Sequence, residues 1–466
     1  MAKLNSINPA NGKILGSVKA TTKAEIEIAV KQARSGFLKW RDVPLKKRVQ
    51  IMAKVSQNFK KQAKSLAKLL SEEMGKPLVE AEGEIALTID YLNFYAKEAG
   101  KYLQDELLYK DKQAISILRY EPVGVVAVIK PWNFPILTSI WALAPAILTG
   151  NSVLFKPASL VPLISEELAK LFWQVGVPKD VLQILHGRGV IGQMLVDSPV
   201  DMVSFTGSTE VGKQIAQNCS VRFIKYVLEL GGSSAAIVTK EADLDLAVKA
   251  IIYGRFSNCG QDCLAIKRLF VESSIANKLT KKLTEEIKKL RIGIDLGPLV
   301  SEDQLKKFEK QVTRGVIQSG RIIAGGRRVR TEEFKNGWFH EPTLMIHVHS
   351  KMEIMQEEVF GPLLPVCTVM SFNEAIKLAN DTRYGLTAVV FTRSKEKIAQ
   401  AQKELQAGTV YINDTGIFLP QVPYQGVKES GVGVEGGKHG LWEFTIKKHL
   451  HTNLNSTKIR DYWFPY

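Results

Sequence analysis

The amino-acid sequence predicts an α/β protein of two lobes, each built around a doubly wound, mostly parallel sheet. A chain of 466 residues is too long for a single core, because cores stop growing at roughly 250–300 residues. Apolar strand-like segments, such as VGVVAVIK at 123–130, alternate with amphipathic helical segments. A second series of the same kind begins after LELGG at 228–232, and we place the boundary between the lobes at 231–232.

The N-terminal part of the chain is predicted to be helical. Apolar residues recur every three or four positions through residues 23–110, which is the spacing of amphipathic helices. From about residue 113 the period changes, and AISILRYEPVGVVAVIK at 114–130 carries β-branched residues on both sides of a Pro-Val-Gly break. This pattern predicts two strands joined as a hairpin or ribbon.

Strand-like and helix-like segments then alternate, as parallel βαβ units require. The first lobe continues with NSVLFK at 151–156, LISEELAKLFWQV at 163–175, VLQILHG at 181–187, VIGQMLVD at 190–197, DMVSFTG at 201–207 and EVGKQIAQN at 210–218. The second lobe contains SAAIVT at 234–239, ADLDLAVKAIIYGRFSN at 242–258, AIKRLFVES at 265–273, RIIAGG at 321–326, TLMIHV at 343–348, LLPVCTVM at 363–370 and TAVVFT at 387–392.

Composition excludes several classes of protein. No apolar run reaches the roughly 20 residues of a membrane-spanning helix, and the first residues lack the apolar segment of a signal peptide. We therefore expect no membrane partner and a cytoplasmic location. Four cysteines are too few for a disulfide framework, so at least one is a candidate reactive thiol. The seven histidines form neither HExxH nor a Cys/His cluster, and we expect no metal site.

The net charge of +16 raises the question of a nucleic-acid partner. Nucleic-acid binding predicts basic clusters interleaved with aromatic residues. The lysines lie instead in amphipathic helical segments such as 58–69 and 277–290, with acidic residues nearby. A solvated, lysine-rich surface is the simpler interpretation, and we expect no nucleic-acid partner.

Several short motifs occur in one order along nearly the whole chain. They are PWNFP at 131–135, FKPAS at 155–159, FTGSTEVG at 205–212, LELGG at 228–232, NCGQDC at 258–263, EEVFGP at 357–362 and KESGVG at 428–433. Together they resemble the NAD(P)-dependent aldehyde dehydrogenase superfamily. The resemblance implies a Rossmann-like cofactor domain, an α/β catalytic domain and a small β-ribbon oligomerisation domain.

The resemblance implies that Cys263, the cysteine after Gly-Gln-x, is the nucleophile. A thiolate is suited to this role because it adds to an aldehyde as a thiohemiacetal, from which a hydride can leave toward a nicotinamide. Without the motif, a buried and inert thiol would be the simpler interpretation. Cys259 stands where small residues are usual in this family. We consider two roles for it, packing or a reversible disulfide with Cys263 under oxidation.

The resemblance also implies two other catalytic groups. The side-chain amide of Asn133 would stabilise the developing oxyanion together with the backbone N–H of Cys263. Glu229 matches the general base that activates water to release the acid from the thioester. Relatives that release acyl-CoA have no use for such a base, so Glu229 favours hydrolysis to a free carboxylate. A turn residue at 133 and a solvent-facing glutamate at 229 are the simpler alternatives.

Cofactor binding would differ from the usual GxGxxG pattern, which follows no suitable strand in this chain. Instead, Gly207 and Ser208 lie at a strand-to-helix turn, where backbone N–H groups and a hydroxyl can hold a pyrophosphate. The resemblance implies further cofactor contacts for Trp132, beside the cofactor, for Lys156, at the adenosine ribose, and for Glu358 and Phe360, at the nicotinamide ribose and ring.

Ser159 bears on the choice between NADP and NAD. NAD-preferring members often carry a glutamate at this position, three residues after Lys156, and its charge repels a 2′-phosphate. A neutral hydroxyl removes this repulsion and can donate a hydrogen bond to phosphate. We therefore expect that NADP is accepted, alongside NAD.

The substrate pocket departs from that of semialdehyde dehydrogenases, which this chain otherwise resembles. In those relatives an arginine holds the distal carboxylate at the position of Trp141, and some have another at the position of Ser257. Without a guanidinium, a carboxylate would be buried uncompensated. Aromatic residues that match the substrate tunnel of the family favour an apolar or aromatic aldehyde. These residues are Phe134, Trp141, Phe418 and Tyr424.

Two other functions remain open at this point. One is a dehydrogenase of succinate semialdehyde or of another ω-carboxy semialdehyde, with a carboxylate site of unexpected basic residues. The other is a non-catalytic binding protein on the same fold, for which the net charge of +16 is the motive. Retention of Cys263, Glu229 and Asn133 speaks against this second alternative.

The resemblance implies a domain arrangement and an oligomer. It gives an NAD(P)-binding domain at 1–105 and 124–230, a catalytic domain at 231–430, an oligomerisation ribbon at 106–123 and 444–454, and a C-terminal tail at 455–466. Exposed edges of a ribbon favour pairing between chains, so we expect a homodimer or homotetramer. The tail ends in YWFPY, and we expect it to dock on a partner subunit.

Overall fold

The computed structural model describes residues 3–457, 459–460 and 462–463, in which the strands form four sheets. Two of these sheets are large and carry the two lobes. The third is a three-stranded ribbon, and the smallest pairs β1 (Lys3–Ile7) with β2 (Ile14–Lys19). The last three residues of the YWFPY segment lie outside the described residues.

The sheet of the first lobe has six strands in the order β17-β9-β8-β5-β6-β7, parallel except for β17 at one edge. Its strands are β5 (Val125–Ile129), β6 (Ser152–Lys156), β7 (Leu182–Ile184), β8 (Met202–Thr206), β9 (Lys225–Glu229) and β17 (Gly431–Val432). Alternate residues of β5 enter two different apolar cores, Val126 on one face and Val125 on the other. Burial of both faces explains why this strand is continuously apolar in sequence.

Helices cover both faces of this sheet. The chain enters α1 through a capping box, in which the Thr22 and Glu25 side chains each accept a hydrogen bond from the other's backbone N–H. The helices are α1 (Lys23–Trp40), α2 (Leu45–Met74), α3 (Leu78–Tyr102), α4 (Leu137–Thr149), α5 (Pro162–Trp173), α6 (Gly189–Asp197) and α7 (Thr209–Val221).

The sheet of the second lobe has seven strands in the order β12-β13-β14-β11-β10-β15-β16, with only β12 antiparallel to its neighbour. Its strands are β10 (Ser234–Val238), β11 (Ile266–Glu272), β12 (Arg321–Ala324), β13 (Thr343–Ile346), β14 (Leu363–Val369), β15 (Thr387–Phe391) and β16 (Thr409–Ile412). The remaining helices are α8 (Leu244–Phe256), α9 (Ser273–Ile287), α10 (Glu302–Ile317), α11 (Glu353–Gln356), α12 (Phe372–Asn380), α13 (Lys395–Glu404) and α14 (Gly437–Glu443).

The ribbon consists of β3 (Glu106–Lys110), β4 (Ala114–Pro122) and β18 (Thr445–Asn453), in the order β18-β4-β3. Two sequence predictions are wrong here. Residues 106–110 form a strand rather than the end of a helix. The segment 114–130 is not a hairpin, because β4 joins the ribbon and β5 joins the six-stranded sheet. The chain changes direction at Gly124, whose φ of 138° favours glycine.

Neither a bilayer-spanning helix nor a metal-binding cluster occurs in residues 3–457, 459–460 and 462–463. No helix there is long and apolar enough to cross a bilayer. No group of three or more His, Cys, Asp or Glu side chains in this part of the chain could hold a metal ion.

Candidate active site

A cavity of about 570 Å³ lies between the two lobes and is lined by residues from both. The site residues predicted from the sequence line it, with the exception of Lys156 and Ser159. Those that line it are Trp132, Asn133, Phe134, Trp141, Gly207, Ser208, Glu229, Cys263, Glu358, Phe360, Phe418 and Tyr424.

The turn before Cys263 has an unusual backbone. Asn258, Cys259 and Gly260 have φ values of 52°, 57° and 67°, a conformation that non-glycine residues rarely adopt. The Asn258 side-chain amide donates to the carbonyls of Asn133, at 2.9 Å, and Gln261, at 3.0 Å. These bonds hold the turn and join it to the segment that carries Asn133.

The two neighbouring cysteines face different cores. Cys259 is almost fully buried in the apolar core of the seven-stranded sheet. Cys263 is partly buried and packs against the other lobe's core. All four cysteines of the chain are free thiols. This arrangement favours packing as the role of Cys259 over a disulfide with Cys263.

Polar groups surround the Cys263 thiol. Its Sγ lies 3.5 Å from Tyr424 Oη and 3.6 Å from Asp262 Oδ1. Burial raises the pKa of this thiol, and the Asp262 carboxylate adds to the rise. The resting thiol is therefore protonated at neutral pH, and nucleophilic attack requires a group that removes the proton or stabilises the thiolate.

Asn133 is buried and its segment is firmly held. Its Nδ2 donates to the carbonyl of Gln261 at 3.2 Å, which uses one of the two amide hydrogens. The backbone carbonyl of Asn133 accepts a hydrogen bond from Lys76 Nζ at 2.9 Å. Lys76 also pairs with Glu84 at 2.6 Å, and neither side chain is exposed. Glu84 in turn accepts from the N–H groups of the first residue of α4 and the residue before it.

Glu229, at the end of β9, is a buried carboxyl with few hydrogen bonds or positive charges to offset its loss of solvation. Within the part of the chain that the structure describes, neither of its oxygens makes a hydrogen bond of good geometry. Burial raises its pKa well above the usual value, and the negative charge of Glu435 raises it further. Lys130 and the N–H of Gly426 only partly offset this rise.

Lys130 and Glu435 form a second buried pair, which sequence reasoning missed. Lys130 Nζ contacts Glu435 Oε1 and donates to Thr206 Oγ1 at 2.9 Å. Glu435 Oε2 is buried, and no partner for it occurs among the described residues. The available signal was a lysine at the end of the apolar strand-like segment VGVVAVIK, directly before PWNFP.

The other side of the cavity suits an anionic dinucleotide. The Ser208 hydroxyl caps helix α7 by accepting from the N–H of Val211 at 3.4 Å, and the first N–H groups of a helix attract phosphate. The rings of Trp132 and Phe360 meet edge to face, with centroids 5.5 Å apart. At Gly231 a Cβ would lie 2.5 Å from Glu358 Oε2, so a side chain there would displace the end of the Glu358 side chain. These donors and this carboxylate fit the pyrophosphate and ribose of a nicotinamide cofactor.

Lys156 and Ser159 lie outside this cavity, at and after the carboxyl end of β6. The Lys156 ammonium is buried and donates to the carbonyl of Pro157 at 2.8 Å. Burial lowers its pKa to about 8. β6 neighbours β5, and β5 leads into the segment of Trp132. Lys156 and Ser159 therefore lie at the same carboxyl end of the parallel strands as Trp132.

Aromatic rings form the part of the cavity beyond Cys263. Trp141 lies 5.1 Å from Tyr424 and 6.0 Å from Phe418 between ring centroids, and Phe134 also lines the cavity. The basic residues that line the cavity come from α10 and from the segment before β15, next to the glutamates at 210, 353 and 357. They are Lys307, Lys310, Arg314 and Arg383. None of them belongs to the aromatic cluster.

Comparisons with known proteins agree with this geometry. Residues 2–450 match the aldehyde dehydrogenase family. A betaine aldehyde dehydrogenase of Bacillus subtilis is 36% identical over 98% of this chain and 95% of its own. A succinate-semialdehyde dehydrogenase (NADP(+)) of Escherichia coli is 34% identical over 96% of this chain and 94% of its own.

A solved structure of a betaine aldehyde dehydrogenase point mutant from Staphylococcus aureus, in complex with NAD+, superimposes with a TM-score of 0.95. It is 34% identical and the match covers 100% of this chain and 96% of that one. The similarity thus extends over the whole fold and over the elements that line the cavity. On these grounds the chain belongs to the aldehyde dehydrogenase family.

Proposed function

We propose that this enzyme oxidises an uncharged, apolar aldehyde to the free carboxylic acid, with NADP or NAD as the hydride acceptor. The observation that carries the proposal is the convergence of Cys263, Asn133 and Glu229 on one cavity. A thiol, an amide donor and a buried carboxyl are the groups that thioester formation and hydrolysis require.

In the first step the Cys263 thiol loses its proton to solvent, the sulfur bonds to the aldehyde carbon, and the carbonyl oxygen becomes an oxyanion. Asn133 Nδ2 and the backbone N–H of Cys263 donate hydrogen bonds to that oxyanion. The cofactor, when bound, accepts the hydride from the substrate carbon. Glu229 then removes a proton from water, whose oxygen attacks the thioester carbon. The C–S bond breaks, the acid is released, and the Cys263 thiolate takes up the proton that Glu229 had removed from water.

The raised pKa of Glu229 suits this role. A carboxylate whose pKa lies above its usual value is a stronger base once it is deprotonated. Among the described residues, neither oxygen of Glu229 has a hydrogen bond of good geometry, which leaves both able to accept from water. For the cofactor, Lys156 and the neutral Ser159 support acceptance of a 2′-phosphate, and the Escherichia coli relative is named for NADP(+).

The aromatic cluster supports an uncharged substrate. Trp141, Phe418 and Tyr424 provide apolar contacts beyond Cys263. The basic residues that line the cavity belong to the part near Glu358 and not to this aromatic cluster. A second candidate is an aldehyde with a quaternary ammonium group, because aromatic faces attract cations and Asp262 adds a negative charge. The alternative of succinate semialdehyde would leave the distal carboxylate unpaired in this cluster.

Three aldehydes separate these candidates. The neutral 3,3-dimethylbutanal and the cationic betaine aldehyde have the same shape, and succinate semialdehyde carries a carboxylate. The test is to measure kcat/KM for each aldehyde from NAD(P)H formation, once with NADP and once with NAD. We expect the neutral aldehyde to exceed succinate semialdehyde by at least about a hundredfold, the effect of several kcal/mol of uncompensated charge.

Other outcomes have defined meanings. A preference for betaine aldehyde over its neutral isostere would select the second candidate, and a preference for succinate semialdehyde would overturn both. Preference for NAD by more than about 10³, near 4 kcal/mol, would contradict acceptance of NADP. Turnover of no aldehyde would favour the non-catalytic alternative.

The ribbon supports the proposed homodimer or homotetramer. Along β3, one of the two edge strands of the ribbon, Leu107, Leu108 and Tyr109 are more than half exposed. An open strand edge with apolar side chains favours pairing with a second chain. We therefore retain the domain boundaries predicted from the sequence as part of this proposal, with the ribbon as the surface that joins subunits.

A further inference from the structure

Lys267, in β11, is a buried lysine that the proposed mechanism does not use. Its side chain has no exposed surface. The ammonium donates to the carbonyls of Asp262, at 2.6 Å, and Cys263, at 2.8 Å. It also lies 3.1 Å from Glu358 Oε1. An ammonium has three hydrogens, and these three acceptors account for all of them.

Lys267 thereby joins segments that are far apart in sequence. The two carbonyls belong to the turn that carries the nucleophile, and Glu358 belongs to the loop proposed to hold the nicotinamide ribose. Glu358 Oε1 also accepts from the N–H of Gly232 at 3.1 Å, so the segment after Glu229 enters the same network. At Gly232 a Cβ would lie 2.7 Å from the Cys263 carbonyl, which shows how closely the segments pack.

We propose that Lys267 is a positioning residue that fixes the Cys263 turn and the Glu358 carboxylate relative to each other and supports the thiolate with its positive charge. This inference rests on the proposed function, in which Cys263 is the nucleophile and Glu358 binds the cofactor. Loss of the ammonium would release Glu358 from its position and would remove a cation from beside the sulfur.

The charges around the sulfur determine the direction of the expected effect. Burial raises the pKa of the Cys263 thiol most, and the carboxylates of Asp262 and Glu358 raise it further. The ammonium of Lys267 and the Tyr424 hydroxyl lower it. The pKa of the Tyr424 hydroxyl is itself raised by burial and by the charges of Cys263 and Glu229, so Tyr424 keeps its proton and can donate a hydrogen bond to the Cys263 thiolate. Lys267 and Glu358 therefore act on the thiol in opposite directions.

The test measures how fast iodoacetamide alkylates Cys263 in the full chain, without substrate or cofactor, at several pH values. At a pH below the pKa of the thiol, the thiolate fraction falls about tenfold when that pKa rises by about one. We expect Lys267→Met to slow alkylation at a fixed pH by about tenfold or more, and Glu358→Gln to accelerate it. Cys263→Ser provides the background from other thiols.

A matched control is available in the same lobe. Lys397 is mostly buried and pairs with Glu241 and Glu272, each at 2.8 Å, and it does not line the cavity. In Lys397→Met, iodoacetamide should therefore alkylate Cys263 at the wild-type rate. Lys267→Arg retains the positive charge, so its pH profile of Cys263 alkylation should lie closer to that of the wild type than the profile of Lys267→Met does. Circular dichroism identifies any variant that does not fold.

A second readout addresses the Glu358 loop. Quenching of tryptophan fluorescence gives the Kd for NADP, and we expect it to rise severalfold in Lys267→Met and to remain unchanged in Lys397→Met. Equal alkylation rates in the wild type, Lys267→Met and Glu358→Gln would overturn the proposal. If Lys267→Met does not fold, Glu358→Gln still decides it, because an alkylation rate in Glu358→Gln that equals or falls below that of the wild type contradicts the proposal.

These outcomes are distinct from those that test the proposed function. Alkylation requires no turnover, so opposite changes in the two variants would support the role of Lys267 even if no aldehyde were oxidised. Conversely, a wild type that oxidises aldehydes and variants that alkylate equally would leave the proposed function intact and reject the role of Lys267.

Discussion

Two lysine–glutamate pairs whose side chains are almost fully buried lie behind residues that line the cavity, and they differ in how completely their polar atoms are paired. In the Lys76–Glu84 pair, the ammonium also donates to the Asn133 carbonyl, and Glu84 also accepts two backbone N–H groups. In the Lys130–Glu435 pair, Glu435 Oε2 is buried and has no hydrogen bond among the described residues. The unpaired carboxyl of Glu229 is close enough for its pKa to be raised by the Glu435 charge.

The difference shows two uses of buried charge. A fully hydrogen-bonded pair resists displacement, which suits a segment that must hold Asn133 in place. The incompletely bonded pair lies beside Glu229, whose pKa is raised by burial and by the Glu435 charge, and a carboxyl with such a perturbed pKa is suited to proton transfer. We therefore assign fixed geometry to the first pair and proton transfer to the neighbourhood of the second. Three substitutions test this contrast.

The largest effect is expected from Lys76→Met, on stability. Loss of the ammonium leaves Glu84 buried without its counter-ion, which typically costs about 3–5 kcal/mol of the free energy of unfolding. Urea unfolding measures the change, and the double variant with Glu84→Gln should recover part of it. As a surface control, Lys170→Met breaks the exposed pair with Glu167 and should cost at most about 1 kcal/mol. Equal losses in the two single variants would contradict the structural role of Lys76.

Glu229→Gln is expected to reduce turnover by about a hundredfold to a thousandfold, because the amide cannot remove a proton from water. Hydride transfer precedes that step, so rapid mixing should still show a burst of NAD(P)H equivalent to the active sites. Mass spectrometry of the quenched protein should detect the acyl group on Cys263. A variant with a normal steady-state rate, or without a burst, would exclude Glu229 from thioester hydrolysis.

The smallest effect is expected from Glu435→Gln, which should move the pH profile of hydrolysis by about one pH unit. The Glu435 charge raises the pKa of Glu229, so its removal lets Glu229 deprotonate at lower pH. The acidic limb of the kcat profile should move to lower pH. Lys130→Met removes the opposing cation and should move the limb to higher pH. A shift of the acidic limb in the same direction in both variants would contradict the electrostatic coupling of Glu229 to Glu435 and Lys130.

Motifs in the sequence predicted the lobes and the residues of the cavity, but not the charges beneath it. Cys263, Asn133 and Glu229 lie within short motifs, so their proposed roles could be inferred from each segment separately. Lys130 pairs with a residue 305 positions away, and no local pattern marks such a contact. Lys267 looked like any charged residue in AIKRLFVES, although the structure buries it completely.

The break at Gly124 shows a second kind of limit. β4 and β5 follow each other closely and both have strand patterns, which made a hairpin the natural interpretation. The choice between pairing with each other and joining separate sheets depends on burial of both faces of β5, which is a property of the whole lobe. Local pattern therefore predicted the strands correctly and their partners wrongly.

The left-handed turn at residues 258–260 has a consequence for mutational tolerance. Substitution of Asn258 or Cys259 by valine, isoleucine or proline would meet a backbone penalty at either position, whatever its effect on chemistry. At Gly260 a side chain would also meet the Gly361 carbonyl at 2.6 Å. We therefore expect this turn to tolerate only small residues and those that accept a positive φ, so that redesign of the surroundings of the proposed nucleophile has to begin outside it.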